Sequence, residues 1–404
     1  MTSAISLGRR ALVPLLAVFT ALLVGAVVIV LTDFENLSRL GTDPVGALAG
    51  ALGGVVSGYG AMLTGAFGDP TRIVAALETG SARNIATAIR PITETLVTTT
   101  PLILTGLAVA ISFRAGMFNI GVDGQLILGA LGATITALFL GGSLPGWLLL
   151  FISIGVGVLS GAVWGFIPGF LKARTGAHEV ITTIMLNYVA AQVVFLALSS
   201  PDIRQPTSTA PVSLPVSTFV DIPLIINLPA IRLDWSFVVA LLMAVAVSFL
   251  LFRTTKGFEL RASGFNMTAA RYAGMSAGGS MMLAMALSGA LAGLAGSFMV
   301  IGTVGQLSPD LSGGVGFTAI ALALLAGLRP SGVVAAALLF GALTTGGKSM
   351  GIQSGIPVDL LTFIIALVIM FVAAPDFIRG LWRLKVREPI KEAVTTHQQP
   401  SAPV

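Results

Sequence analysis

Three short stretches hold most of the side chains in this 404-residue chain that could do chemistry. Residues 114–125, RAGMFNIGVDGQ, crowd Asn119, Asp123 and Gln125 among glycines between two apolar runs. Polar groups at membrane depth need partners, because leaving them unsatisfied there is costly. Two readings fit: polar groups beside a solute path, or a tight turn that ties two helices together. Residues 177–188 carry His178, Glu179 and Asn187. One histidine beside one glutamate is not a metal site, since zinc takes three or four protein ligands, and the second histidine, His397, lies far away in the polar tail. Asn187 either lines a path or clamps a neighbouring helix.

The third stretch, 257–275, holds Arg261, Phe265, the small pair Ala269-Ala270, Tyr272 and Gly274. It reads as a short helix that Gly274 would stop, and as either a docking surface for a partner or an ordinary interhelical loop. Residues 342–349, ALTTGGKS, fit a relaxed phosphate-loop pattern, but that motif joins a strand to a helix and these residues end an apolar run. The pattern is rejected. The chain has no cysteine, which excludes disulfides, thiolate metal sites and cysteine nucleophiles together. No cluster of acids, bases or metal ligands of the kind an enzyme needs is present, and no cofactor is expected.

The elements that position these stretches follow from composition. Hydrophobic residues make up 55% of the chain and charged residues 10%, against about 25% charged in soluble domains, and the mean hydropathy is +0.97. Lipid must solvate most of the chain. The expected fold is an all-α integral membrane protein of about ten transmembrane helices. Spans are expected near 11–31, 94–113, 125–143, 146–171, 180–199, 235–252, 279–302 and 357–374, with 316–346 split into two by the turn signal Arg329-Pro330-Ser331-Gly332. The first run is near the length of a span and longer than a signal-peptide core, so it reads as a retained helix. Four regions result: 1–31, the N-terminus and first span; 32–93, a mostly external glycine-rich segment in which 47–67 is an interfacial or re-entrant helix or a packed loop; 94–375, the transmembrane core; and 376–404, a cytoplasmic tail.

Orientation follows from lysine and arginine. With the N-terminus in the cytoplasm, the inner side collects Arg9, Arg10, Arg114, Lys172, Arg174, Arg253, Lys256, Arg261, Arg271, Arg329, Arg379, Arg383, Lys385, Arg387 and Lys391, while the outer side keeps Arg39, Arg72, Arg83, Arg90, Arg204, Arg232 and Lys348. Both termini are therefore expected in the cytoplasm. The +5 net charge is spread over span ends rather than gathered in one patch, which speaks for topology and against nucleic acid. Gly157 with Gly161, and Gly289 with Gly293, have the spacing of close helix packing. Residues 160–165 and 340–347 also echo one another. Two readings fit: a five-plus-five inverted repeat, or the general likeness of glycine-rich spans.

Several blocks together resemble a known family. Residues 118–125, FNIGVDGQ, are similar to an FNIG(A/V)EGQ block, with Asp123 for the usual glutamate. With 101–109, 177–188, 261–274 and 314–321, all in order, they resemble the permease subunits of bacterial nucleoside and simple-sugar ABC importers, relatives of the ribose and branched-chain amino acid permeases. The resemblance covers roughly 93–375; around 40–92 the chain departs from it. It implies that 261–274 is the coupling helix that docks on an ATPase, with Arg261, Ala269, Ala270 and Gly274 at the contact. It also implies a second permease subunit, an ATPase with two fused nucleotide-binding halves, a solute-delivering lipoprotein, and a place in the bacterial cell membrane. A self-sufficient secondary transporter is the competing class, but it would place ionisable residues at span centres, and the expected spans hold almost none. A nucleoside is the expected solute, because the motifs lie nearer that branch than the ribose branch.

Overall fold

The computed structural model describes residues 2–383. Among them the regular elements are helices, numbered here α1 (Thr2–Thr32), α2 (Phe34–Ser38), α3 (Pro44–Phe67), α4 (Pro70–Thr79), α5 (Ala82–Arg114), α6 (Val122–Leu140), α7 (Gly146–Thr175), α8 (Glu179–Ala197), α9 (Ser236–Arg253), α10 (Thr255–Phe265), α11 (Met267–Tyr272), α12 (Ala277–Phe298), α13 (Val315–Leu325), α14 (Pro330–Ser354), α15 (Val358–Ala373) and α16 (Pro375–Leu381). A π-helical turn, Met299–Val304, follows α12. The proline-rich connection 200–234 adds only a short 3-10 turn and two isolated bridges.

Apolar chain in lipid must satisfy its own backbone, which selects helices. Local signals then set their ends. Asp43 and Asp69 cap α3 and α4 from just before Pro44 and Pro70, and Thr254, Asn266 and Ser276 cap α10, α11 and α12. The expected turn at 328–332 is present: Gly327 and Leu328 have positive φ, and Pro330 opens α14.

The buried centre is α5, α6 and α12, while α7, α8 and α9 turn most of their surface outward. The tightest joint is α7 on α12, where Gly157 and Gly161 lie against Gly289 and Gly293. Small residues there let two backbones approach, and dispersion between them replaces the hydrophobic drive that lipid cannot supply.

Among the described residues nine helices are long and apolar enough to cross a membrane, and the α15–α16 pair, bent by 90°, brings the number to ten. The total matches the expected one, but its membership differs. The expected span at 316–328 is α13, which has only 11 residues, about 16 Å of helix and half a membrane. By length and composition α3, 24 residues long, is counted instead, inside the segment expected to be mostly external. Its C-terminal end lies beside the N-terminal half of α5, where Thr95 donates to the Ala66 carbonyl at 2.9 Å. The expected single short helix over 261–274 is also two helices. They break at Asn266, whose side chain leaves the α10 register to accept the Ala269 amide at 3.0 Å.

Candidate functional site

The chain does not leave the bundle after Arg114. Gly116, with φ +75°, reverses it, and residues 117–121 turn back between α5 and α12. Asn119 is fully buried, and its amide donates to Ser288 Oγ at 2.9 Å and to Gln125 Oε1 at 3.1 Å. Its Oδ1 accepts the Gly121 amide at 2.9 Å and Gln125 Nε2 at 3.2 Å. Ser288 in turn donates to the Ala108 carbonyl at 2.8 Å. Ser288 sits midway along α12, so this network lies inside the helix bundle, at the start of α6. Every side chain in it is partnered, so it locks α5, α6 and α12 together.

Asp123, one helical turn further, faces the other way. Its Oδ2 accepts Ser312 Oγ at 3.0 Å and its Oδ1 accepts the Gly316 amide at 3.1 Å. Gly316 belongs to the first turn of α13, so Asp123 supplies from another helix the capping carboxylate that α13 lacks in its own sequence. Asn187 on α8 accepts the Gly124 amide at 2.9 Å and donates to the Ile120 carbonyl at 3.0 Å, which clamps α8 to the start of α6. Asn119, Asp123, Gln125 and Asn187 are thus brought together, around the point where a half-length helix begins. A cleft of about 400 Å³ adjoins Asp123 and Asn187, and the exposed Tyr188, Asp310 and Phe317 line it. Glu179 pairs with Lys172 at 2.9 Å, outside this group, and His178 is exposed.

Leucine at Asn119 would strand the Gln125 amide and the Gly121 amide in an apolar surround, while Ser288 kept its bond to the Ala108 carbonyl. An unpaired buried polar group costs about 1–3 kcal/mol. The expected result for Asn119→Leu is a loss of about 3 kcal/mol or more, read as a lowered unfolding temperature of the detergent-solubilised protein.

The other expected group, Arg261, Ala269, Ala270 and Gly274, lies at the end of the bundle where the basic residues gather. Arg261 is on α10, and Ala269 and Ala270 are on α11. Gly274 has φ +80° and opens the turn into α12. The two alanines face opposite ways: Ala269 is exposed, whereas Ala270 is turned into the protein and is 3% exposed. Phe265 and Tyr272 are 94% and 90% exposed and flank Ala269. These two aromatics are the prominent groups of this surface. Gly116 and Gly264 touch backbone to backbone, so α10 packs on the turn that leads to Asn119 and Asp123. Residues 342–349 lie inside the continuous helix α14, where backbone amides are not free to hold phosphate. Among the described residues no group of three or more His, Cys, Asp and Glu could hold a metal ion.

A half-length helix starting inside the bundle and a buried polar lock beside it suit a membrane transport protein. The family described as branched-chain amino acid transport system / permease component matches residues 92–373, and the chain belongs to it. It is 38% identical over 370 residues to the guanosine ABC transporter permease protein NupP of Bacillus subtilis (strain 168), covering 91% of this chain and 94% of that one. It is 33% identical over 378 residues to the nucleoside ABC transporter permease protein NupB of Lactococcus lactis subsp. cremoris (strain MG1363), covering 90% and 91%. It is 34% identical over 340 residues to the glucose ABC transporter permease protein TsgB13 of Haloferax volcanii (strain ATCC 29605), covering 78% and 89%. No solved structure matches the chain. The protein is a transport subunit and not an enzyme.

Proposed function

We propose that this chain is one permease subunit of an ABC importer that carries nucleosides across a bacterial cell membrane. The observation that supports the solute most strongly is the likeness to NupP and NupB, which runs through nine-tenths or more of each chain. In this reading the basic end is cytoplasmic, both termini lie on that side, and 32–93 belongs mostly to the outer side. The α10–α11 pair meets a partner ATPase. A second permease subunit covers part of the outward-facing surface of α7 and α8, and an external lipoprotein delivers the solute. ATP-driven movement entering at α11 would pass through α10 and the Gly116–Gly264 contact to the turn that holds Asn119 and Asp123. Asp123 would then tilt α13 and open or close the adjoining cleft. Exposed Tyr188 and Phe317 suit a nucleoside there, since a base stacks on aromatic faces.

Glucose is the second reading, supported by the likeness to TsgB13. Uptake in a strain lacking this gene separates the two. Loss of labelled guanosine, adenosine or uridine uptake with normal glucose uptake is the expected result. Loss of glucose uptake alone would overturn the nucleoside assignment.

A further inference from the structure

The basic end carries more positive charge than the protein itself answers. Arg114 and Arg261 both place their guanidinium carbons 5.2 Å from the centre of the Phe252 ring. Arg329 acts electrostatically on Arg114, and Arg253 follows Phe252 directly. Among the described residues none of these four arginines has a carboxylate within ion-pair distance, and the nearby Glu259 is taken by Lys256 at 2.9 Å. The Arg261 Nε is buried with no hydrogen-bond partner. Like charges gathered in this way call for an anion.

Two cavities meet at that point. One, of about 700 Å³, lies between α10 and the start of α12, with Arg253, Lys256 and Arg261 on its wall. The other, of about 570 Å³, is a groove between α9 and α14 lined by Leu241, Val245, Phe249 and Val334. Phe252 and Arg253 line both. The groove is apolar and lies along a membrane-spanning helix; the cavity is cationic and lies at that helix's end. One ligand class has an apolar body and an anionic head at this spacing.

We propose that the α9–α14 groove and the arginine-lined cavity form a binding site for one anionic phospholipid, with acyl chain along Val245 and Phe249 and phosphate between Arg253 and Arg261. An acidic side chain of a partner protein would answer the charge but leave the groove empty, and free phosphate would do the same. The site does not depend on which solute the protein carries.

The test is native mass spectrometry of the assembled transporter after exchange into micelles doped with equal phosphatidylglycerol and phosphatidylcholine. The expected result is selective retention of phosphatidylglycerol. Arg253→Gln should weaken retention about fivefold, the worth of one arginine near a lipid surface. Val245→Trp fills the groove without touching a charge and should weaken it as well. Equal retention of the two lipids by the unaltered protein would overturn the proposal. Unchanged retention in Val245→Trp would reduce the site to a headgroup contact and overturn it too. Displacement of the lipid by millimolar inorganic phosphate would assign the cavity to a free anion. Lipid bound by the permease alone but absent from the complete complex would assign it to the ATPase. Nucleoside uptake is scored separately, so failure here leaves the transport assignment standing.

Discussion

Alanine at Gly289 or Gly293 is expected to abolish accumulation of the folded protein, while alanine at Gly155 leaves it unchanged. A methyl group at Gly289 would lie 2.1 Å from the Gly161 carbonyl oxygen, and one at Gly293 would lie 2.4 Å from the Gly157 carbonyl oxygen. Both obstacles are backbone atoms of α7, which no rotamer change can move aside. The two helices would have to separate along the most extensive joint in the molecule. Forced overpacking costs about 1–3 kcal/mol where neighbours can adjust, and here they are fixed on both sides, so about 3 kcal/mol or more is expected. That is a large share of the stability of a typical domain. Gly155 lies on the same helix as Gly157 but meets nothing within 4 Å, so Gly155→Ala controls for helix propensity. The measurement is the amount of monodisperse protein extracted from membranes, with uptake alongside. Normal extraction of Gly289→Ala and Gly293→Ala would show that the α7–α12 joint is looser than the structure has it.

That joint was legible in the sequence because close packing in lipid leaves a local mark, small residues four apart. The same physics accounts for the echo between 160–165 and 340–347. The first lies in α7 against α12, and the second lies in α14, where Gly346 meets the Met62 carbonyl and Gly65 packs on Ser349. Each glycine run answers its own close contact, which is sufficient reason for the likeness; the inverted repeat stays a proposal about history. The polar cluster at 119–125 was legible as a cluster, with a tie between helices and a solute path both open, but its partners and the cap on α13 were not. Its partners lie far off in sequence: Ser288 is 169 residues from Asn119, and Ser312 and Gly316 are 189 and 193 from Asp123. Nothing local distinguishes a serine that receives such a bond from one that does not. That α13 is too short to be counted as a span while α3 is long enough has a similar cause. Hydropathy adds up apolar residues and is blind to where a helix starts. Gly313 and Gly314, both with positive φ, start α13 deep in the bundle and halve it. In α3 Gly58 sits against Ile356 and Met350 and Gly65 against Ser349, so these two serve helix packing where they had suggested a loop.

Glutamate at Ala269 together with alanine at Tyr272 is expected to leave the permease folded and to stop transport. An ABC permease holds no nucleotide site of its own, so the drive must enter through a protein contact, proposed here to be the α10–α11 pair. A docking surface is identified by what it presents. Ala269 is exposed, and Phe265 and Tyr272, at 94% and 90% exposure, project beside it, uncovered by any of the described residues. Large aromatics at the centre of an interface commonly carry about 2 kcal/mol or more of its binding energy. Removing Tyr272 and placing a charge at Ala269 should therefore lower ATPase affinity by a hundredfold or so. Ala270 is a different case despite standing next in the sequence. Its side chain is 3% exposed, so Ala270→Glu would bury a charge and damage the fold before it reached the partner. Gly274→Asp is intermediate. A methyl there meets nothing within 4 Å, but φ is +80°, a conformation that costs a non-glycine residue about 1–2 kcal/mol and that aspartate tolerates better than most. The predicted order of extraction from membranes is thus wild type, equal to the Ala269→Glu/Tyr272→Ala variant, then Gly274→Asp, then Ala270→Glu. ATPase co-purification and nucleoside uptake should instead be lost first in Ala269→Glu/Tyr272→Ala, while its extracted amount stays normal. If that variant retains the ATPase and full uptake, the drive enters elsewhere, and the basic end must be searched again for the contact.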